Sequence, residues 1–241
     1  MLVLSIDSAM NGCSVGLYDD KSGAIDTLSY EMTRGQAEHL MPMIDSIIHN
    51  NSLKYSDIDF IVVTKGPGAF TGMRIGLSTA KSLGLALNIP VIGIDTFRAI
   101  LQTYLQQQPK DSISRYGVLL ETKRQDFYFQ MFEGKNYTAC SDPIAAKEDE
   151  IIGMINMPII IIGDASERFI SVSKKQSDYI THKKIMLPDP IATASYFVDI
   201  KGKNEGACLE CTPFYIREPD VSTPKRAVRK IGGSKENDSR G

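Results

Sequence analysis

Histidine is scarce in this chain. The 241 residues contain three, His39, His49 and His182. No two of them stand four residues apart, the spacing that places both imidazoles on one helix face. A helix-borne histidine pair for a metal is therefore excluded. Cysteine is also sparse: Cys13, Cys140, Cys208 and Cys211 are too few and too scattered for a disulfide framework. Cys208 and Cys211 have zinc-knuckle spacing, yet no second pair completes four ligands, so two reduced thiols in a loop is the better reading. Net charge is nearly absent, 27 Lys and Arg against 29 Asp and Glu for a formal −2. Such a surface does not draw a polyanion across its whole face. No apolar run approaches the ~18 residues of a membrane span. Met1 leads at once into the strand-like Leu2-Val3-Leu4-Ser5-Ile6, without a basic stretch or cleavage site, so no secretory leader is expected. These absences together point to a reduced, cytoplasmic protein without a membrane anchor.

What is present is ordinary in amount, 42% apolar and 23% charged residues, and enough for one large or two small cores. The order is informative. Leu2 to Asp7, Cys13 to Tyr18 and Ile25 to Tyr30 read as strands, the first two joined by a turn containing Asn11-Gly12. Gln36 to Asn50 has helical period, with Leu40, Met41, Ile44, Ile47 and Ile48 on one broad stripe. A strand over Ile58 to Thr64 is broken by Gly66-Pro67-Gly68, and a helix from about Gly72 to Leu87 precedes a strand over Pro90 to Ile94. Asp95 or Thr96 then caps a helix running through Gln106-Gln107-Gln108, which Pro109 stops. The same order restarts with strands over Tyr116 to Glu121, Phe127 to Phe132 and Asn136 to Ala139, a helix over Lys147 to Ile155 and a strand over Pro158 to Gly163. The period is too long for a solenoid. The fold class expected is α/β: two ribonuclease-H-like lobes of the actin-like, sugar-kinase-like type, with mixed sheets, flanking helices and a reduced second lobe. The lobes are expected at 1–108 and 109–217. Residues 218–241 carry Lys225-Arg226 and Arg229-Lys230 among glycines and serines, a composition that favours a flexible basic tail over a dedicated nucleic-acid arm.

The segment Gly66-Pro67-Gly68-Ala69-Phe70-Thr71-Gly72 is a strand end, a glycine-rich turn and a helix start. Free amides at such a helix start can hold an anion, which makes Asp7, Ser8, Gly66, Gly68, Thr71 and Gly72 weak candidates for an anion loop. The glycines equally suit a tight turn and a close helix approach. No Gly-Lys-Ser/Thr follows, so this is not a Walker loop. Along the helix, Gly72, Gly76, Ala80 and Gly84 recur every four residues and form a smooth ridge that a second helix can approach closely. Met73, Leu77 and Leu83 flank it. In the preceding helix, Met41, Met43 and Ile47 remain once Leu40, Ile44 and Ile48 are given to the core, and methionines suit adaptable protein contacts.

The string Gly66-Pro67-Gly68-Ala69-Phe70-Thr71-Gly72-Met73-Arg74-Ile75-Gly76 resembles the Gly-Pro-Gly-Ser-Phe-Thr-Gly-x-Arg-Ile-Gly signature of the TsaB (YeaZ) family, with Ala69 the one departure. Leu4-Ser5-Ile6-Asp7-Ser8-Ala9 with Cys13-Ser14-Val15-Gly16-Leu17, His39-Leu40-Met41-Pro42-Met43-Ile44 and Pro213-Phe214-Tyr215-Ile216-Arg217 resemble that family's first hairpin, first helix start and closing segment. The likeness is dense over 1–100, thin over 110–217 and missing from the tail. It implies a non-catalytic scaffold in the formation of threonylcarbamoyladenosine in tRNA. It implies as partners the paralogue TsaD, which carries the metal and the transfer chemistry, and the ATPase TsaE, with tRNA met only through the complex. It also places the TsaD contact on the two first-lobe helices, at Leu40, Met43, Ile44, Ile47, Met73, Gly76, Leu77, Ala80 and Leu83, where the chain alone is expected to pair with itself as a homodimer.

Two other readings are weighed. In an actin-like phosphotransferase Asp7 would hold Mg²⁺, and Ser8 or Asn11 would face a phosphate. Yet Glu121-Thr122-Lys123-Arg124-Gln125-Asp126 stands where a second glycine-rich loop belongs, and Asp164 in Ile162-Gly163-Asp164 would repel phosphate. Glu121-Thr122-Lys123 also departs from the family's Asp-Ala-Arg. A glycoprotease-type metallopeptidase needs ligands that the three histidines cannot supply. No cofactor is expected.

Overall fold

A computed structural model describes residues 1–107, 115–134, 136–173, 180–202 and 210–217. Gln108, Cys208 and the 218–241 tail, whose structures the sequence led one to expect, lie outside them. In the first lobe, β1 (Leu2–Asp7), β2 (Gly12–Asp19), β3 (Gly23–Glu31), β4 (Phe60–Thr64) and β5 (Val91–Ile94) form a sheet of order β3-β2-β1-β4-β5. The β3-β2-β1 pairs are antiparallel, and β1-β4-β5 are parallel. The helices are α1 (Gln36–Asn50), α2 (Phe70–Leu87) and α3 (Thr96–Gln107). The second lobe repeats this layout with β6 (Arg115–Glu121), β7 (Phe127–Glu133), β8 (Thr138–Ala139), β9 (Ile144–Ala146), β10 (Ile159–Ile162) and β11 (Ile180–Lys183) in order β11-β10-β6-β7-β8, where β9 also pairs with β7. Antiparallel β6-β7 and parallel β6-β10-β11 reproduce the first sheet. Its helices are α4 (Glu148–Met154), α5 (Ser166–Val172) and α6 (Pro190–Gly202). Two copies of one ribonuclease-H-like unit make the actin-like fold that the repeated order led us to expect.

Alternation along the strands builds the layers. Leu2, Leu4 and Ile6 of β1 face the core shared with α1 and α2, while Val3 faces Ala99 of α3 and Ala194 and Phe197 of α6. In the second sheet, Leu119, Phe127, Phe129, Ile159 and Ile161 face Ile151 of α4 and Phe169 of α5. Tyr116, Val118, Leu120, Ile160 and Ile162 face Phe97, Ile100, Leu101 and Tyr104 of α3. The third helix of each lobe therefore reaches the opposite sheet: α3 covers the second, and α6 lies on β1 and β2 of the first. The boundary expected at 108/109 is crossed in both directions. α6 is covered by the first sheet on one side and by α3 on another, so much of its surface is apolar and its helical period is weak in the sequence. Asp95 caps α3, its Oδ1 accepting the Arg98 N–H at 2.8 Å. No helix among the described residues is long and apolar enough to cross a membrane.

Candidate functional site

The carboxyl ends of the parallel strands of both sheets open into a cleft of about 730 Å³ between the lobes. One wall comes from the first lobe: Ala9 to Asn11 after β1, Thr33 to Glu38 at the start of α1, Pro67 to Gly72 and Ile75. The other comes from the second: Leu120 to Arg124, Tyr128 and Asp164, joined by Arg217.

The first wall is held by close backbone approach. Ala69 N–H donates to Ala9 O at 2.7 Å, and the Ser8 hydroxyl donates to Gly72 O at 2.8 Å. A Cβ on Gly68 would strike the Ala9 carbonyl, one on Gly72 the Ser8 carbonyl, and one on Gly76 would lie 2.5 Å from Ser8 Oγ. Behind this wall Asp7 is buried, its Oδ1 accepting from the Thr64 hydroxyl and the Ala9 N–H, while Oδ2 is an unpartnered buried atom. Burial pushes its carboxyl up to about 6, against the lowering pull of those two donors.

The second wall is held by charge. Glu121 takes Arg168 in a fork, Nε to Oε1 at 2.7 Å and Nη2 to Oε2 at 2.8 Å, and the guanidinium lies 3.8 Å above the Phe127 ring. Arg217 pairs with Asp126, whose Oδ1 accepts from the Thr122 hydroxyl at 2.7 Å. Asp164 Oδ1 accepts the Glu121 N–H at 3.0 Å. Burial first, and the neighbouring Glu121 charge second, push Asp164 up to about 7, against that amide.

Of the anion-loop candidates, Gly68, Thr71 and Gly72 line the cleft. Ser8 and Asp7 are buried, and Gly66 is covered: with φ at +102° it needs glycine, and a Cβ there would sit 2.7 Å from Phe214 O. The first-turn amides of α2, with Arg34 and Lys123 nearby, favour an anion, whereas Glu38, Glu121 and Asp164 on the same walls oppose one.

Most residues expected at the partner surface lie inside this chain. Leu40, Ile44, Ile47 and Ala80 are fully buried within this chain, Met43, Met73 and Leu77 nearly so, Gly76 faces Ser8, and only Leu83 is half-buried. α1 and α2 lie side by side on one sheet face and pack on each other, so each buries two stripes, and the ridge of small residues faces inward. The large apolar side chains these helices leave exposed are Met41, at 39%, and Leu85, at 86%.

His39 and His49 lie on α1 and His182 on β11. Among the described residues no group of three or more His, Cys, Asp or Glu could hold a metal ion. The sequence reading missed the pairing of Arg168 and Arg217 with carboxylates 47 and 91 positions away; no local pattern marks such pairs.

A family model described as TsaD, tRNA N6-adenosine threonylcarbamoyltransferase, matches residues 30–178, more than half of the chain. The tRNA threonylcarbamoyladenosine biosynthesis protein TsaB of Buchnera aphidicola subsp. Acyrthosiphon pisum is 31% identical over 54% of this chain and 57% of that protein. The chain thus spans little more than half of that relative. The protein of the same name from Haemophilus influenzae is 26% identical over 90% of this chain and 94% of its own length. Among solved structures, YeaZ from Pseudomonas aeruginosa has the same fold, with a TM-score of 0.72 at 19% identity over 89% of this chain and 99% of that one.

Proposed function

Since the chain belongs to the TsaD family, on its TsaB (YeaZ) branch, we propose that it takes part in forming threonylcarbamoyladenosine in tRNA as a non-catalytic scaffold. The observation that carries this reading is the second wall of the cleft. Where an actin-like phosphotransferase needs a loop open to nucleotide phosphates, this chain places Glu121 tied to Arg168 beside Asp164, with Asp126 tied to Arg217. Both guanidiniums are already committed to carboxylates within the chain, so neither is left to pair with a phosphate. The catalytic partner in this reading is TsaD, bound through the outer faces of α1 and α2, with TsaE joining the assembly and tRNA engaged through the complex. Met41 and Leu85 are the apolar side chains those faces offer. Alone, the same faces pair two copies of the chain.

The test is co-elution of the purified chain with its cognate TsaD, together with ATP hydrolysis by the chain alone. Complex formation without turnover is expected. Turnover by the isolated chain would replace the scaffold reading with the phosphotransferase one.

A further inference from the structure

Residues 210–217 follow neither lobe's sheet. They run over the end of the first lobe and finish at the second. Phe214 N–H donates to Lys65 O at 2.7 Å, and the Lys65 ammonium donates to Glu210 O at 3.3 Å. The backbone fits because of two glycines: a Cβ on Gly93 would lie 2.8 Å from Glu210 O, as one on Gly66 would crowd Phe214 O. Gly66, counted in the sequence as part of an anion loop, makes room for this segment. The Tyr215 ring stacks on Phe70, the first residue of α2, at 4.6 Å and 8°, and its hydroxyl accepts from Arg74 Nε at 3.1 Å. Successive side chains then separate. Cys211 and Tyr215 pack on the core beneath α1 and α2, while Phe214 and Ile216 pack on the core between α3 and the second sheet. Arg217 crosses the cleft mouth to Asp126 on the turn between β6 and β7.

We propose that residues 210–217 are a strap that fastens the two lobes across the cleft and sets its aperture, with the Arg217–Asp126 ion pair as the releasable end. The fastening is asymmetric. On the first lobe it consists of backbone hydrogen bonding, glycine-accommodated contact and an aromatic stack. On the second, its polar hold is one charge pair, with Asp126 held ready by the Thr122 hydroxyl. The pair is partly open to water, at 32% for Arg217 and 13% for Asp126, so salt can weaken it. The cleft opens at Arg217 before it opens anywhere along 210–215. This inference is independent of the scaffold reading, since it concerns the chain without partners.

The experiment places nitroxides, through a genetically encoded ketone side chain, at exposed Thr71 and Gln125 on the two lips of the cleft, and measures their separation by double electron–electron resonance on the full chain. A narrow distribution is expected. Arg217→Ala should lengthen and broaden it, and speed amide exchange over 121–126 roughly tenfold. The exchanged pair Arg217→Asp with Asp126→Arg should restore the narrow distribution, and high salt should move the unaltered protein toward the Arg217→Ala result. Should Arg217→Ala fold poorly, Asp126→Asn serves instead, with the same result expected. An unchanged distribution in either variant overturns the proposal. So does equally faster exchange throughout the chain, which would make Arg217 an ordinary stability determinant.

Discussion

The two walls of the cleft share one topology and are built from different physics. In the first lobe, the 18-residue helix α2 and the turn before it bring Gly72 and Gly68 against carbonyls that follow β1. In the second, helices of seven residues leave the wall to be held by Glu121–Arg168, Asp126–Arg217 and the buried Asp164. A wall made by close contact admits no added atom. A wall made by charge tolerates changes of shape but answers to pH and salt. The glycines of the first-lobe signature are fixed by packing, and in the second lobe Gly163, with φ at +125°, is pressed on the Leu119 carbonyl in the same way.

The largest effect should come from Ala80→Arg. Ala80 is fully buried among the first-lobe core, and an unpaired charge there costs about 3–5 kcal/mol, a large part of a typical domain's stability. The variant should lose its cooperative urea transition or show it at far lower denaturant. A wild-type midpoint would mean that the ridge faces outward after all. Next is Gly72→Ala. At a free helix position this exchange stabilises by about 1 kcal/mol. Here the new methyl meets the Ser8 carbonyl, so a loss of about 2 kcal/mol is expected. The sign alone decides whether contact governs this wall.

The matching probe of the second wall is Asp164→Asn. Asp164 titrates near 7 in the folded chain instead of 3.8, so between those values the folded state holds a proton that the unfolded state has released. Its contribution to stability is fully present below about pH 4 and is lost as pH rises through about 7. Asparagine mimics the protonated acid. Unfolding midpoints should therefore coincide at pH 4 and diverge toward pH 8, where the variant gains up to about 4 kcal/mol. A gap independent of pH would remove charge as the organising force of this wall.

Much of the fold was legible in the sequence, and the reasons follow the same contrast. β1 and α1 fall on the expected residues, and α2 begins two residues early, at Phe70, because alternation and a broad apolar stripe are strong signals. Of β9, α5, β11 and α6, a helix after β10 was expected without bounds, and the others were not foreseen. The first three span three, seven and four residues, too short for a period to show. α6 packs on both the first sheet and α3, so only a narrow polar strip at Ser195 and Asp199 marks its turns. For the site, the glycine string located the cleft's first wall, but whether a glycine lies open to a ligand or pressed on a carbonyl depends on neighbours far along the chain. The inward ridge illustrates this: four-residue spacing on α2 marks a smooth helix face without saying whose surface meets it.

The smallest expected effect on stability belongs to Leu85→Glu, and it bears most directly on function. Leu85 lies five residues after Ala80 on α2 and is 86% exposed, so it contributes little to the chain's own core. A charge there stays in water, and the unfolding midpoint should shift by no more than about 0.5 kcal/mol. If the outer face of α2 meets TsaD, the same carboxylate would be buried against an apolar surface on assembly. Interface anchors typically carry about 2 kcal/mol or more, and each ~1.4 kcal/mol is tenfold in affinity. Pull-down of TsaD should then weaken by more than tenfold, and self-association of the isolated chain should weaken with it if both use this face. Met41→Glu on α1 should act in the same direction. Normal TsaD capture by both folded variants would place the contact away from these two helices. Capture lost by Ala80→Arg but kept by Leu85→Glu would show only that an unfolded chain cannot bind.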